Sequence, residues 1–287
     1  MRPSAETTLE PLSEDEMAAW RRDQGLHVVR HRGRWWWEAK RGFYRPIHML
    51  ARLHADEATR PVAACWGFHA TIRDEDAAEA NTALPTHRIT RLDEWEEDKL
   101  SSNRRYELRK ARRTAELVEL TEPDLLLEQG YELLRQTIER TGWGRLPSRE
   151  QYERDARTSV RPGRRLVLAG LIGGRLAGYA ECYGVDGVGY YDEMRVANDA
   201  LETNLSKALQ VEFILACRRS PGIGEVVNGL VAPEDENLTR SKERLGIPVD
   251  PVPARVSMLP GAATVIRRLA PSSYYRLSGV PWSNAAA

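Results

Sequence analysis

A single lysine near the end of the chain offers a positive charge that could stabilise a developing negative charge. Residues 238–246 read L-T-R-S-K-E-R-L-G, and Lys242 is one of only five lysines among 42 basic residues. A positioned ammonium stabilises the oxyanion that develops when an acyl carbonyl is attacked. The simpler alternative is a solvated side chain on a helix over residues 233–245, with Gly246 leaving that helix in a left-handed conformation. Asn228 lies in the last half of the preceding predicted strand, 225–230, and is a candidate for substrate binding.

Two neighbouring predicted strands, 175–183 and 188–196, carry the candidates for a general base. An amine that attacks an acyl carbonyl must lose a proton, and a carboxylate can accept it. Side chains alternate between the faces of a strand, which predicts three groups that share a face. These are Tyr179, Glu181 and Tyr183; Tyr190, Asp192 and Met194; and Tyr191, Glu193 and Arg195. Glu181, Asp192 and Glu193 are thus the catalytic candidates, and Tyr183 and Tyr191 are candidate substrate contacts. In the alternative interpretation Glu181 pairs with Arg195, and Asp192 begins an exposed turn.

A short basic helix is predicted over residues 100–113, which read L-S-S-N-R-R-Y-E-L-R-K-A-R-R. Ser101, Ser102 and Asn103 within this segment are possible N-cap residues, and Arg105, Arg109 and Arg112 recur at i, i+4 and i+7. Such a stripe can bind the pyrophosphate of coenzyme A, a tRNA backbone or a phosphate-bearing envelope precursor. A soluble, solvated helix is the alternative. The binding candidates here are Arg104, Arg105, Tyr106, Arg109 and Lys110, and Trp143 in the loop 141–145 joins them.

Composition narrows the classes of protein. The 42 acidic residues balance the 42 basic residues, so the overall charge does not predict a nucleic-acid binder. The longest apolar runs, 166–172 and 211–217, are far too short to span a membrane, and the N-terminus lacks a signal-peptide pattern. We therefore expect a cytoplasmic protein without integral membrane contact. The three scattered cysteines and the histidines, all before residue 88, favour neither a disulfide framework nor a metal site.

The order of predicted elements indicates an α/β protein with a mixed sheet. Residues 1–94 form a small sheet-rich lobe, with strands over 26–32, 34–39, 45–53 and 62–72 and a loop over 74–85. From residue 115 a strand and two helices, the second over 148–160, precede three antiparallel strands, 165–172, 175–183 and 188–196. The helix 203–217, the strand 225–230, the helix 233–245 and the strand 255–258 follow. We predict domains over 1–94 and 95–278, with a tail over 279–287.

Together, the basic helix, the Lys242 segment and the order of elements resemble the Fem-type (FemAB-like) peptidyltransferases and related acyltransferases of the GNAT superfamily. In those proteins an N-R-R-x-x-R-K-A-like helix leads into the catalytic domain and an F-K-x-x-x-G-like turn ends it. The resemblance spans roughly residues 95–278 and implies a GNAT fold, with residues 1–94 as a reduced first GNAT-like half. It also implies that Lys242 stabilises charge at the acyl-transfer centre.

The segment 201–206 bears on the donor. The acetyl-CoA-dependent members of the superfamily usually show a Q-x-x-G-x-G/A pattern, whereas this segment reads L-E-T-N-L-S, with Asn204 and Ser206 in the places of glycines. This pattern fits the Fem-like branch, which commonly lacks the glycine loop and takes its acyl group from aminoacyl-tRNA.

The resemblance therefore implies an N-acyltransferase without a tightly bound cofactor, using aminoacyl-tRNA or acyl-CoA as its donor. The acceptor is an amine on a cell-envelope precursor or a small metabolite, and Asn204 and Ser206 are donor contacts. Two alternatives remain: a conventional acyl-CoA N-acetyltransferase acting on a small amine or sugar, and a non-catalytic module that binds phosphate ligands.

Overall fold

The computed structural model describes residues 1–142 and 144–281. Strands in these residues, numbered in chain order, are β1 (Arg2–Pro3), β2 (Val28–His31), β3 (Arg34–Lys40), β4 (Phe43–Pro46), β5 (Gly67–Thr71), β6 (Thr82–Ile89), β7 (Glu116–Glu119), β8 (Arg165–Ile172), β9 (Arg175–Val185), β10 (Val188–Val196), β11 (Glu225–Leu230), β12 (Val249–Met258) and β13 (Val280–Pro281). The α-helices are α1 (Glu14–Asp23), α2 (Ser102–Thr114), α3 (Tyr131–Thr141), α4 (Arg149–Ser159), α5 (Leu205–Arg219), α6 (Glu236–Glu243), α7 (Ala262–Leu269) and α8 (Pro271–Ser278).

Contacts group the chain into two compact units. Unit 1 contains residues 1–12, 88–229 and 235–248, and unit 2 contains residues 13–87 and 230–234 and the chain from Val249 onward. This grouping differs from the predicted division in one respect above all. The sequence predicts that residues after Val249 belong to the second domain. In the structure they group with the N-terminal part of the chain.

The sheet of unit 1 follows the predicted order of elements. Its strands lie in the order β1-β7-β8-β9-β10-β11, with antiparallel pairing from β1 to β10 and parallel pairing between β10 and β11. The parallel pairing covers only three residue pairs, the last of which joins Tyr190 to Val227. Both strands continue past this pair, so backbone groups beyond it have no partner across β10 and β11. The predicted mixed sheet with central antiparallel strands beside β11 is confirmed.

Helices cover both faces of this sheet. Helix α5 packs closely on one face because glycines replace side chains there: a Cβ atom on Gly170 would lie 2.3 Å from the Leu205 side chain, and one on Gly189 would lie 2.6 Å from Cys217 Sγ. Helix α4 covers the other face, where the Tyr152 hydroxyl lies 3.5 Å from the Tyr179 hydroxyl. The buried core of unit 1 lies between these layers. The sequence therefore gives each face of β9 a different environment.

The strands of unit 2 lie in the order β6-β12-β5-β4-β3-β2, with β13 beside β6. Strands β4 and β5 run parallel. The pairs β12–β5, β12–β6, β13–β6, β2–β3 and β3–β4 run antiparallel. The buried core of unit 2 includes Trp36, Leu53, Phe68 and Ile72. Of the three successive tryptophans, Trp36 is fully buried, as alternation on a strand requires.

Several predicted bounds in the N-terminal part were wrong. The strands predicted over 45–53 and 62–72 shorten to β4 and β5, and the predicted loop 74–85 contains a 3-10 helix, Asp74–Glu79, and the start of β6. The predicted strand 255–258 is the end of β12, which pairs with β5 and β6. Pro251 and Pro253 concealed its beginning, because proline cannot donate to a strand ladder. Both prolines lie where the register of β12 is defined against β6 alone, and there the missing N–H is tolerated.

No helix in residues 1–142 and 144–281 has both the length and the apolar character needed to cross a membrane.

Candidate functional site

Lys242 is buried, in contrast to the solvated alternative. It lies on α6 with 9% of its surface exposed, and its Nζ donates a hydrogen bond to the Asn228 carbonyl oxygen at 2.5 Å. Burial lowers the pKa of Lys242 to about 8, because an ammonium loses its hydration inside the protein. In the described part of the chain this is the one hydrogen bond of the ammonium, which carries three N–H donors. Two of its N–H donors therefore have no partner among the described residues.

The Asn228 side chain continues this network into α5. Its Nδ2 donates to Gln210 Oε1 at 2.9 Å, and Gln210 Nε2 donates to the Ser206 carbonyl oxygen at 3.1 Å. Asn228 follows Val227, the last residue of β11 that pairs with β10. The structure thus brings together three predicted residues, Lys242, Asn228 and Ser206. Sequence analysis missed Gln210, because nothing in the helical pattern distinguishes it from other polar residues.

Asn204 takes the backbone conformation that a glycine would favour. Its φ is +63° at the start of α5, in the left-handed region that asparagine tolerates better than most residues. Its Oδ1 accepts a hydrogen bond from Lys207 Nζ at 2.7 Å, and Lys207 also pairs with Glu107 at 3.0 Å. Glu107 in turn pairs with Arg104 at 2.5 Å. The predicted residues Arg104 and Asn204 are therefore linked through Lys207 and Glu107, neither of which was predicted.

The basic helix α2 has a structural side and an exposed side. Arg104 is 7% exposed and lies on the same face as the buried Leu108 and Ala111. Arg112 belongs to the structural side, because it binds both Glu97 carboxylate oxygens at 2.7 Å and Glu212 at 2.9 Å. The predicted stripe is thus divided: Arg112 is bound to acids of the protein, whereas the exposed side carries Tyr106, Arg109 and Lys110, with Arg105 half-buried at its border.

A β-bulge changes the predicted faces of β10. The pairing with β9 shifts at Asp192, so that Tyr190 pairs with Tyr183 and Glu193 pairs with Glu181. The extra residue reverses the alternation beyond it. The prediction that Tyr190 and Asp192 share a face while Glu193 lies opposite was wrong. Glu193 and Arg195 lie on the same face as Glu181, and Asp192 is exposed at the bulge.

The carboxyl group of Glu181 is set up to hold a proton near neutral pH. Burial is the first cause that raises its pKa to about 7, and the negative charges of Glu193 and Asp192 add to the effect. A hydrogen bond from Ser159 and the charge of Arg195 act in the opposite direction. Glu181 as a whole residue is partly exposed. The alternative pairing with Arg195 does not occur, because Arg195 forms its ion pair with Glu193.

The two candidate tyrosines lie on opposite faces of the sheet. Tyr183 is buried on the Glu181 face and stacks on Tyr190, with ring centroids 5.1 Å apart. Tyr191 is buried on the face toward α5, where its ring lies 5.7 Å from that of Phe213. Burial raises the pKa of the Tyr191 phenol well above its ordinary value. Tyr191 therefore does not join Glu181 and Tyr183, and Trp143 lies outside the described residues.

Two groups of side chains flank the point where β10 and β11 cease to pair. One contains Lys242, Asn228 and Gln210, and the other contains Glu181 and Glu193. The last paired residues, Tyr190 and Val227, directly precede Tyr191 and Asn228. Asn228 and Gln210 bond to each other on the α5 side of the sheet, and the Glu181 carboxyl group lies on its other side. The first group offers N–H donors for an oxyanion, and the second offers a carboxylate that can hold a proton.

Comparisons with solved structures identify the fold. The C-terminal domain assigned to a lysylphosphatidylglycerol synthetase of Agrobacterium fabrum is 12% identical, with a TM-score of 0.60, over 93% of this chain and 95% of that chain. L-PGS from Bacillus licheniformis is 11% identical, with a TM-score of 0.58, over 95% and 99% of the two chains. FemX is 10% identical, with a TM-score of 0.56, over 88% and 92%. No protein-family model and no curated protein sequence matches the chain.

The chain therefore has the fold of these proteins, and the predicted GNAT-type fold and resemblance to Fem-type proteins are confirmed at the level of the fold. Sequence identities this low establish only that the fold is shared. Substrates and residue roles must be argued from the site itself.

Proposed function

We propose that this protein is an N-acyltransferase that moves an acyl or aminoacyl group from an activated donor to an amine. The observation that carries this proposal is Lys242, a buried ammonium with two unused donors beside Asn228, where β10 and β11 separate. Burial of an ammonium without a carboxylate costs stability, so such a group is expected where it has a task. Stabilising the oxyanion of a tetrahedral intermediate is that task in our proposal.

Glu181 supplies the second half of the proposed chemistry. The attacking amine must be neutral, and a carboxylate with a pKa of about 7 accepts its proton at the pH of the cytoplasm. The bulge at Asp192 contributes by bringing Glu193 opposite Glu181, which raises the basicity of the Glu181 carboxylate. Glu193 is therefore a positioning and tuning residue in this mechanism, and Asp192 acts through its charge.

We place the donor near the start of α5 and the exposed side of α2. Asn204 provides the left-handed turn that a glycine loop would otherwise provide, and Arg109 and Lys110 present free cationic surface. Arg105 and Tyr106 border that surface. Phosphates of aminoacyl-tRNA or of acyl-CoA both suit these groups, and we favour aminoacyl-tRNA because the glycine loop itself is missing. The acceptor is an amine on a cell-envelope precursor or a small metabolite.

The proposal is tested by incubating the full chain with labelled acyl-CoAs and, separately, with charged tRNAs, each with a mixture of primary amines. We expect amide formation with one donor class and a loss of the rate in Lys242→Ala. Arg240→Ala is the matched control, because Arg240 is an exposed cation on the same helix that pairs with Glu236 at 2.6 Å. Donor binding without turnover would instead support the non-catalytic module. Turnover with acyl-CoA alone would support the conventional acetyltransferase.

A further inference from the structure

Helix α7 in unit 2 has an apolar face that the described chain does not cover. None of its residues is buried. Ala262, Val265, Ile266 and Leu269 recur at i, i+3, i+4 and i+7 and form one stripe along the helix. Val265 is 55% exposed and Leu269 is 81% exposed. Large apolar residues at such exposure and spacing indicate a surface for binding.

The ends of this helix are fixed by the backbone. Gly261 precedes it with a φ of +84°, and Pro271 begins α8 immediately after Ala270. The Ala270 N–H donates to the Ile266 carbonyl oxygen at 2.8 Å, which closes the last turn. Leu259 extends the apolar surface just before the helix and is 43% exposed. The stripe is therefore a defined feature of the folded chain.

Charge determines which kind of surface fits the stripe. From residue 251 to the end the sequence contains four arginines and neither aspartate nor glutamate, although the whole chain is neutral. Arg255 pairs with Glu79 at 2.8 Å and Arg276 pairs with Glu234 at 2.7 Å. Arg267 and Arg268, on the polar side of α7, form no ion pair among residues 1–142 and 144–281. An apolar stripe flanked by free arginines is complementary to a surface of acyl chains under anionic headgroups.

We propose that α7 is a peripheral docking element for an anionic lipid surface. The helix lies along the membrane plane, Val265 and Leu269 enter the boundary between headgroups and acyl chains, and Arg267 and Arg268 bind lipid phosphates. A second copy of the chain would present the same two arginines, and their like charges disfavour pairing through this face. The inference is independent of the proposed transferase activity, because none of these residues belongs to the candidate site.

The test is flotation of the full chain with vesicles of phosphatidylcholine alone or mixed with phosphatidylserine. We expect binding to the mixed vesicles that weakens as salt is added. The double variant Val265→Ser with Leu269→Ser should lose at least tenfold in binding, because it removes two inserted apolar side chains. The double variant Arg267→Glu with Arg268→Glu should lose the preference for anionic vesicles. Leu201→Ser is the matched control, because Leu201 is 45% exposed on unit 1 and its loss should leave binding unchanged.

Three results would overturn the proposal: absence of binding to the mixed vesicles, equal binding to both kinds of vesicle, or unchanged binding by the Val265 and Leu269 variant. Sedimentation velocity tests whether this face binds a second copy of the chain instead. A concentration-dependent dimer of the wild-type chain that the same variant abolishes would assign the face to self-association instead. Thermal unfolding of each variant confirms that it is folded, which the exposure of the substituted side chains leads us to expect.

Discussion

Glu193 lies directly opposite Glu181 across the antiparallel strands β9 and β10, because Asp192 is the extra residue of a bulge between them. Without that bulge the two carboxylates would lie on opposite faces of the sheet. Their proximity makes ionisation of Glu181 less favourable and contributes to its pKa of about 7. A backbone irregularity of one residue thus adds to the effect of burial, which is the larger cause of the raised pKa.

We first predict that Glu181 lowers stability as it ionises. Its pKa is about 7 in the folded protein, above the ordinary value of 4.5, so the folded state holds the proton more tightly than the unfolded state. The free energy of unfolding should therefore fall by about 2–3 kcal/mol as the pH rises from 4.5 through 7. Glu181→Gln should remove this slope and be the more stable protein at pH 8. Urea denaturation across this pH range measures both effects.

Glu193→Gln provides a matched test of the cause. Removing the opposing charge should lower the pKa of Glu181 and move both the stability slope and the rise of kcat/KM to lower pH. An identical profile in the wild type and in Glu193→Gln would show that the pair is not coupled.

We next predict that the buried ammonium of Lys242 lowers the free energy of unfolding although it is needed for activity. Its pKa is about 8 in the folded protein and 10.5 ordinarily, so the unfolded state binds the proton more tightly between these values. Wild-type stability should therefore rise by about 3 kcal/mol from pH 8 to 10.5. At pH 7 Lys242→Met, which keeps the length of the side chain, should equal or exceed the wild type in stability. Both kcat and kcat/KM should fall roughly ten- to a thousandfold.

Parallel measurements of unfolding and of single-turnover transfer distinguish this account from a structural role. A destabilised Lys242→Met protein at pH 7 would make Lys242 a packing residue. A normal rate in a folded variant would show that Lys242 is not catalytic and would leave Glu181, Asp192 and Glu193 as the catalytic candidates. Arg240→Ala again supplies the control on the same helix.

The third prediction separates the two sides of α2. Arg109→Ala combined with Lys110→Ala should weaken binding of the phosphate-bearing donor and reduce the salt slope of its affinity by about two, one for each lost contact. Stability should change little, since both side chains are exposed. Arg112→Ala should instead cost about 2–4 kcal/mol, because it leaves Glu212 buried without its guanidinium partner. Equal salt slopes for the wild type and the double variant would show that α2 is a solvated helix that does not bind the donor phosphates.

A fourth prediction concerns the end of α6, which holds Lys242 in place. Gly246 has a φ of +74°, as expected from the sequence, and a Cβ atom there would lie 2.8 Å from Trp95 Nε1. Gly246→Ala should cost about 2–3 kcal/mol, combining backbone strain with the clash. Gly142→Ala is the matched control, because Gly142 has a φ of +66° with nothing within 4 Å of its would-be Cβ atom. It should cost about 1 kcal/mol, and an equal cost at both sites would exclude the Trp95 contact as the cause.

The sequence by itself determined the elements of unit 1 and the order in which they follow one another. Apolar periodicity identified β8, β9, β10 and α5 within a few residues, since the alternation of a strand and the stripe of a helix depend on local spacing. It also identified Lys242 and Asn228, which lie in short segments with a recognisable pattern. These are properties of neighbouring residues, and neighbouring residues are what a sequence displays directly.

Tertiary structure alone decided which side chains meet and what environment each one has. Gln210 bonds to Asn228 because α5 lies beside β11, and Lys207 pairs with Glu107 because α5 lies beside α2. The positions of these residues in the chain give no sign of either contact. The bulge at Asp192 reversed the faces of β10, and Pro251 with Pro253 hid a strand that the pairing with β6 accommodates. Burial then lowered the pKa of Lys242 and raised that of Glu181. Contacts between distant segments set these environments, and a local pattern carries no record of them.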